Sequence, residues 1–364
     1  MPLLIGMDEA GLGPNLGPFV VAASVWEVPS SPGGFDFWTA FDTVLTNAPR
    51  AKDERLHVAD SKRVFQPGNG IASLERGVLT ALRLCGVEAP TFRDLCEVLC
   101  GSDVAHSNIA AGLRSAPCVP GRGGASGIRS TSSAALSLFA DAELLAARSP
   151  VETACDGEAT LPWYDGDDVT LPVKSGGELS LAAPWQALCE RLGVRLVSIC
   201  ADVVEPERFN RLVRRYDNKA AATSRIAMQV LRRAWPLHRE DEVLVVADKH
   251  GGRNRYEPLL SEAFPERTVV CLEEGADRSV YRLGNCEIRF QPRAEEHGPV
   301  ALASMTAKYL RELAMHRFNR FWRERMPGLK PTQGYPLDAK RFRAEIADLQ
   351  RSLGIADDVL WRER

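Results

Sequence analysis

The stretch that decides the fold runs from Met1 to Val25, MPLLIGMDEAGLGPNLGPFVVAASV. An apolar run, Leu3 to Met7, ends in two adjacent acids, Asp8 and Glu9. The segment GLGPNLGP follows, where glycine and proline favour a tight turn. A second apolar run, FVVAASVWEV from Phe19 to Val28, is rich in β-branched and aromatic residues. The pattern predicts a β-hairpin with Asp8 and Glu9 near the end of its first strand. In an ideal strand the two acids point to opposite faces, because side chains alternate. A bend at the glycines would bring Glu9 back towards Asp8.

A second acid has the same setting. DEVLVVADKHGG, Asp241 to Gly252, reads as a strand that ends at Asp248 before a glycine turn. If the two strands are neighbours, Asp8 and Asp248 converge at one edge of the sheet. Clustered carboxylates repel one another, and a hard divalent cation relieves that cost. Such a cluster suits two-metal phosphodiester chemistry. The competing reading is that both acids accept backbone hydrogen bonds in turns.

The rest of the chain reads as strands followed by long helices, which predicts a layered α/β fold around a mixed sheet. GVRLVSICADVV (193–204), RTVVCLEE (267–274) and CEIRFQPRAE (286–295) are strand candidates. SLERGVLTALRLCG (73–86) and the stretch 206–235 read as helical. PVALASMTAKYLRELAMHRFNRFW (299–322) reads as one long helix with Pro299 in its first turn. DAKRFRAEIADLQRSLG (338–354) is a final helix. Residues 86–185 differ in texture. They hold a Gly/Ser/Pro-rich loop, a helix candidate at 135–147 and short strand candidates in TLPWYDGDDVTLPVKSGG (160–177). They read as an insertion or small subdomain between 1–85 and 186–364.

The chain has 364 residues, 45% hydrophobic, enough for a sizeable core. Its 48 acids against 45 Lys and Arg exclude a broadly basic coat but not a local basic groove. Nine scattered cysteines form no CxxC pair, so reduced core thiols in a cytoplasmic protein are expected rather than a disulfide or zinc framework. The acids interrupt the first apolar stretch and no cationic segment precedes it, so no signal peptide is expected. No run is long enough to span a bilayer.

Five blocks, in this order, resemble the type 2 ribonucleases H, the ribonuclease HII and HIII families. They are MDEAGLGPNLGPFVVAA (7–23), ADSK (59–62), VVADKHGG (245–252), PVALASMTAKYLRE (299–312) and QGYPLDAKRF (333–342). The resemblance covers about residues 1–65 and 190–350 and leaves the intervening segment unaccounted for. It implies a ribonuclease H-like fold, with a mixed five-stranded sheet flanked by helices. It also implies an Mg²⁺- or Mn²⁺-dependent endoribonuclease that acts on RNA/DNA hybrids or on duplex DNA with embedded ribonucleotides. Products would carry 3′-hydroxyl and 5′-phosphate ends.

By the same resemblance, Asp8, Glu9 and Asp248 are metal-binding carboxylates. The fourth position falls on Ala294 in the ribonuclease HII pattern. In the HIII-like pattern it falls on Glu295, with Glu296 as the alternative; Glu295 is chosen. Gly11, Leu12 and Gly13 match the turn whose backbone contacts the 2′-hydroxyl, with Leu12 in place of the HII arginine. Tyr335 matches the tyrosine that packs on the sugar. Lys62 and Lys308 match lysines that attract phosphate or support the acids. His297 near Glu295 reads as a surface histidine and is not assigned to catalysis.

Arg311, Arg317, Arg320, Arg323, Arg325 and Lys330, interleaved with Phe318, Phe321 and Trp322, form either a duplex-binding patch or an ordinary amphipathic helix. Two further function classes stay open: a nucleic-acid-binding relative that does not cleave, and a metal nuclease acting on DNA.

Overall fold

The computed structural model describes residues 1–65, 70–101, 161–174 and 179–363. Its centre is a seven-stranded mixed sheet. In chain order the strands are β1 (Leu3–Ala10), β2 (Phe19–Glu27), β3 (Arg195–Val204), β4 (Val243–Asp248), β5 (Val270–Glu274), β6 (Ser279–Leu283) and β7 (Cys286–Gln291). Their spatial order is β3-β2-β1-β4-β7-β6-β5. The predicted hairpin is present: β1 and β2 are antiparallel, with Leu3 opposite Glu27 and Ala10 opposite Val20. β1 pairs in parallel with β4, and β4 with β7. The sheet is the mixed α/β type that the resemblance implies, with two strands more than the expected five. The addition includes β6, SVYRL, whose short run carried no clear strand pattern in the sequence.

Helices cover both faces. On one side lie α1 (Ala72–Leu84), α2 (Phe92–Cys100), α3 (Ala182–Leu192) and the long α7 (Gly298–Arg325). On the other lie α4 (Pro206–Tyr216), α5 (Lys219–Ala234) and α6 (Glu257–Ala263). α8 (Pro336–Ser352) follows α7 and packs against it through Phe342. The alternation of β1 divides the two cores. Leu3, Ile5 and Met7 join the α4–α6 side, and Leu4 joins the α7 side.

The stretch 206–235 is two helices rather than one. Asp217 adopts a left-handed conformation (φ 47°), and Asn218 caps α5 by accepting the Ala221 N–H at 3.0 Å. The strand candidates in 160–177 are replaced by a 3₁₀ turn, Pro162–Tyr164, and an isolated bridge between Thr91 and Thr170. Prolines 162 and 172 deny a ladder the donors it would need. The helix candidate at 135–147 lies outside the described residues.

The described flanks of 86–185 share the sheet's own core, through Phe92, Leu95, Trp163, Tyr164 and Trp185. Buried Glu75 secures them. It accepts the Val173 and Lys174 N–H groups at 2.6 and 2.7 Å and the Tyr309 hydroxyl at 2.8 Å.

The amino terminus of α7 lies directly on β1. A Cβ at Gly6 would sit 2.2 Å from the Pro299 carbonyl carbon, and Ser24, opposite Gly6, donates to Pro299 O at 2.7 Å. Gly6→Ala therefore forces two backbones apart. It should destabilise the protein by about 3 kcal/mol, against less than about 0.5 for Gly252→Ala, whose Cβ meets open space. Urea unfolding of both variants checks this.

Candidate metal centre

Asp8 and Asp248 come together through strand register. β1 and β4 are parallel neighbours, with Ile5 beside Val245 and Met7 beside Ala247, so the next pair along is Asp8 and Asp248. Both side chains follow residues whose alternation puts them on the α7 side of the sheet. The Ser304 hydroxyl in α7 favours the charged form of the Asp8 carboxylate. Glu9 stays in register opposite Val21, and the pairing continues to Ala10 before the glycine turn. It still lies within electrostatic reach of both Asp8 and Asp248.

Glu295 sits in a 3₁₀ turn, Ala294–Glu296, between β7 and α7. It lines an open groove together with Asp248, Lys249, Gly251, Asn254 and Arg293. The neighbouring Glu296 is mostly exposed and pairs with Arg293 at 3.6 Å. Of these two glutamates, Glu295 is the one facing the acids. Ala294 is buried, and its backbone N–H supports the Asp248 carboxylate.

Burial is the main cause of every shift at this cluster, with charge repulsion added to it. Asp8 is pushed up to about 7 by burial, then by Asp248 and Glu295, against the lowering influence of Ser304. Glu9 is raised well above the carboxylate range by burial, then by Asp8 and Asp248. Burial also raises Asp248 and Glu295. One further acid adds to both of these: Asp60, whose carboxylate caps the short helical turn Ser61–Val64 by accepting the Lys62 N–H at 3.0 Å. The sequence reading quoted Asp60 within ADSK but gave it no role. Its only signal was its place beside Ser61 and Lys62.

Lys62 offsets Glu9, Asp248 and Glu295. Its turn is seated by the Ser61 N–H, which donates to Ser304 Oγ at 3.2 Å, so the serine that favours charged Asp8 also braces the lysine turn. Lys308 is placed differently. Its ammonium donates to Glu312 at 2.5 Å and lies 4.5 Å over the Phe65 ring, so its charge is already met.

The turn after β1 lies next to the acids along the chain. Gly11 has φ +87°, and a Cβ there would meet the Arg311 side chain at 2.6 Å, which leaves room for glycine alone. The Leu12 side chain packs against the α4–α6 core, so only its backbone faces outward chemistry. Tyr335 is 52% exposed, and its ring lies 3.9 Å from where a Gly13 Cβ would stand.

The arginine–aromatic series resolves largely into packing. Phe318, Phe321 and Trp322 are core residues. Arg311 and Arg317 are 1% exposed; Arg317 binds Asp168 and the carbonyls of Trp163 and Tyr164. Of the series, Arg323, Arg325 and Lys330 are exposed. His297 faces Gln291, 3.2 Å away.

Among the described residues, no three His, Cys, Asp or Glu side chains close into a ready metal cage. The donor set nevertheless fits a hard divalent cation. It is all carboxylate oxygen, and the buried Asp248 Oδ1 has no hydrogen-bond partner.

No family model and no curated protein matches the chain. Solved structures do match, distantly. Ribonuclease HII of Archaeoglobus fulgidus, solved with PCNA, is 13% identical, with 100% of this chain and 94% of that chain covered and a TM-score of 0.36. Ribonuclease H2 of Pyrococcus horikoshii OT3 is 11% identical, with 98% and 92% covered and a TM-score of 0.37. Bst-RNase HIII in complex with Mn²⁺ is 15% identical, with 99% and 65% covered and a TM-score of 0.36. These likenesses are too loose to assign chemistry. Among the described residues, no helix is long and apolar enough to cross a membrane.

Raised carboxylate pKa values predict a definite pH response. A group protonated more readily in the folded than in the unfolded state stabilises the fold at low pH, and that stabilisation is lost as pH rises through the folded value. For Asp8 the window runs from about 4 to about 7. Without divalent cations, the thermal midpoint should rise as pH falls from 8 to 5. Asp8→Asn should raise the midpoint at pH 8 and flatten this dependence. Mn²⁺ should stabilise the wild type at pH 8 and the variant much less.

Proposed function

We propose that the protein is a divalent-metal-dependent endoribonuclease of the type 2 ribonuclease H kind. It would cleave the RNA strand of RNA/DNA hybrids or duplex DNA at embedded ribonucleotides. The observation that carries this reading is the parallel register that sets Asp8 beside Asp248, with Glu9 and Glu295 in electrostatic reach. The ordered sequence motifs converge on the same residues, and that agreement supports the assignment.

Asp8, Glu9, Asp248 and Glu295 would hold Mg²⁺ or Mn²⁺. When bound, the metal supplies Lewis acidity and a water nucleophile at neutral pH. The chain's own residues do the rest. Ser304 fixes the Asp8 carboxylate, and Lys62 brings positive charge to the place where a scissile phosphate would lie. The backbone of the Gly11–Gly13 turn and the exposed ring of Tyr335 offer contacts to a ribose, whose 2′-hydroxyl separates RNA from DNA. Residues 1–85 and 186–364 form the catalytic unit in this reading, with 86–185 as the insertion. A cytoplasmic location accords with the seven free cysteines among the described residues.

The open arrangement of the acids favours one second reading, a relative that binds hybrids without cutting them. A labelled RNA/DNA hybrid and a duplex with one ribonucleotide, incubated with Mg²⁺ or Mn²⁺, separate the two. The expected result is metal-dependent cleavage to 3′-hydroxyl and 5′-phosphate ends, lowered at least about 10³-fold by Asp8→Asn or Asp248→Asn. Hybrid binding with no cleavage in either metal overturns the ribonuclease reading.

A further inference from the structure

Three cations from three separate elements grip the carbonyls of the turn between β1 and β2. Lys219, the first residue of α5, donates to Leu12 O at 3.0 Å. Arg362, 3% exposed, donates to Pro14 O, and its own N–H donates to Asn15 O at 2.9 Å. Arg311 reaches Leu16 O at 3.4 Å and Gln333 O at 2.9 Å. The Asn15 N–H is taken by Gly334 O at 2.7 Å, which ties the turn to the loop bearing Tyr335.

The Lys219 contact has a consequence the other two lack. The Leu12 carbonyl and the Gly13 N–H belong to one planar trans peptide and point in opposite directions. Fixing the carbonyl against α5 therefore turns the Gly13 N–H away from α5. Gly13 is exposed, and its N–H makes no hydrogen bond among the described residues. The Tyr335 ring borders the same space. A cation on the carbonyl also draws electron density through the peptide and strengthens the N–H as a donor.

We infer that Lys219 is a positioning residue for ribose recognition, which holds and polarises the Leu12–Gly13 peptide so that the Gly13 N–H meets a sugar hydroxyl beside Tyr335. This rests on the ribonuclease reading. It adds a residue outside every motif that suggested that reading. Lys219 would act through the backbone without touching substrate.

The test uses the full chain with Lys219→Met and Lys219→Arg, in wild type for turnover and in Asp8→Asn for binding without cleavage. Lys219→Met should lower kcat on the hybrid about tenfold, with KM changed less than about twofold. It should also narrow the preference for an RNA/DNA hybrid over the same all-DNA duplex about tenfold. Lys219→Arg should restore most of both, and the thermal midpoints should agree within about 3 °C. If the wild type cleaves the hybrid but Lys219→Met leaves kcat and the ribose preference unchanged, or weakens both duplexes equally, the inference falls alone. If the wild type neither cleaves nor prefers the hybrid, the ribonuclease reading falls and takes this role with it.

Discussion

The parallel pairing of β1 with β4 is the constraint on which the site depends. It sets Asp8 beside Asp248 at the ends of two neighbouring strands, about 4.8 Å apart across the ladder. A slip of one residue would send one of the acids to the opposite face. The register is held from both sides. Leu3, Ile5 and Met7 enter one core, and on the other face Gly6 admits the backbone of α7. The same packing that makes the sheet stable therefore places two carboxylates in a partly dry, mutually repelling arrangement.

Such an arrangement is costly in the isolated chain, and the surrounding residues moderate the cost. Ser304 favours the charged form of Asp8, backbone N–H groups of Lys249 and Ala294 support Asp248, and Lys62 sets a positive charge against three of the acids. What is left over is the raised affinity for protons and the unpartnered oxygen of Asp248. Both are properties that a divalent cation would satisfy.

The neighbouring turn follows the opposite logic. Its Leu12, Pro14, Asn15 and Leu16 carbonyls are engaged by Lys219, Arg311 and Arg362, drawn from helix α5, helix α7 and the chain after α8. Glycine at position 11 is required because Arg311 lies directly beneath it. Acids at the strand ends and a cation-braced turn beside them give the site a strongly acidic half and a half whose exposed group is the Gly13 backbone.

Much of this was legible in the residues alone. The hairpin, the strand ending at Asp248 and the long helix after Pro299 declare themselves through local apolar patterning, because each buries a continuous face. The pair Asp8 and Asp248 was legible as a conditional: two acids in matching strand-end settings. Adjacency of β1 and β4 is a non-local fact and came only with the fold. So did the choice between Glu295 and Glu296, which depends on how a short turn is oriented between β7 and α7. Lys308, Arg311 and Arg317 look like phosphate binders in sequence, yet Glu312, Asp168 and backbone carbonyls take them. Asp60 and Lys219 gave no usable signal, since each acts on a partner far away in the chain. The sequence by itself determined the hairpin, the strand ending at Asp248, the long helices and the residue types at their ends, because periodicity and turn chemistry are local. Tertiary structure alone decided which charges meet, because desolvation and pairing arise only when distant segments share one space.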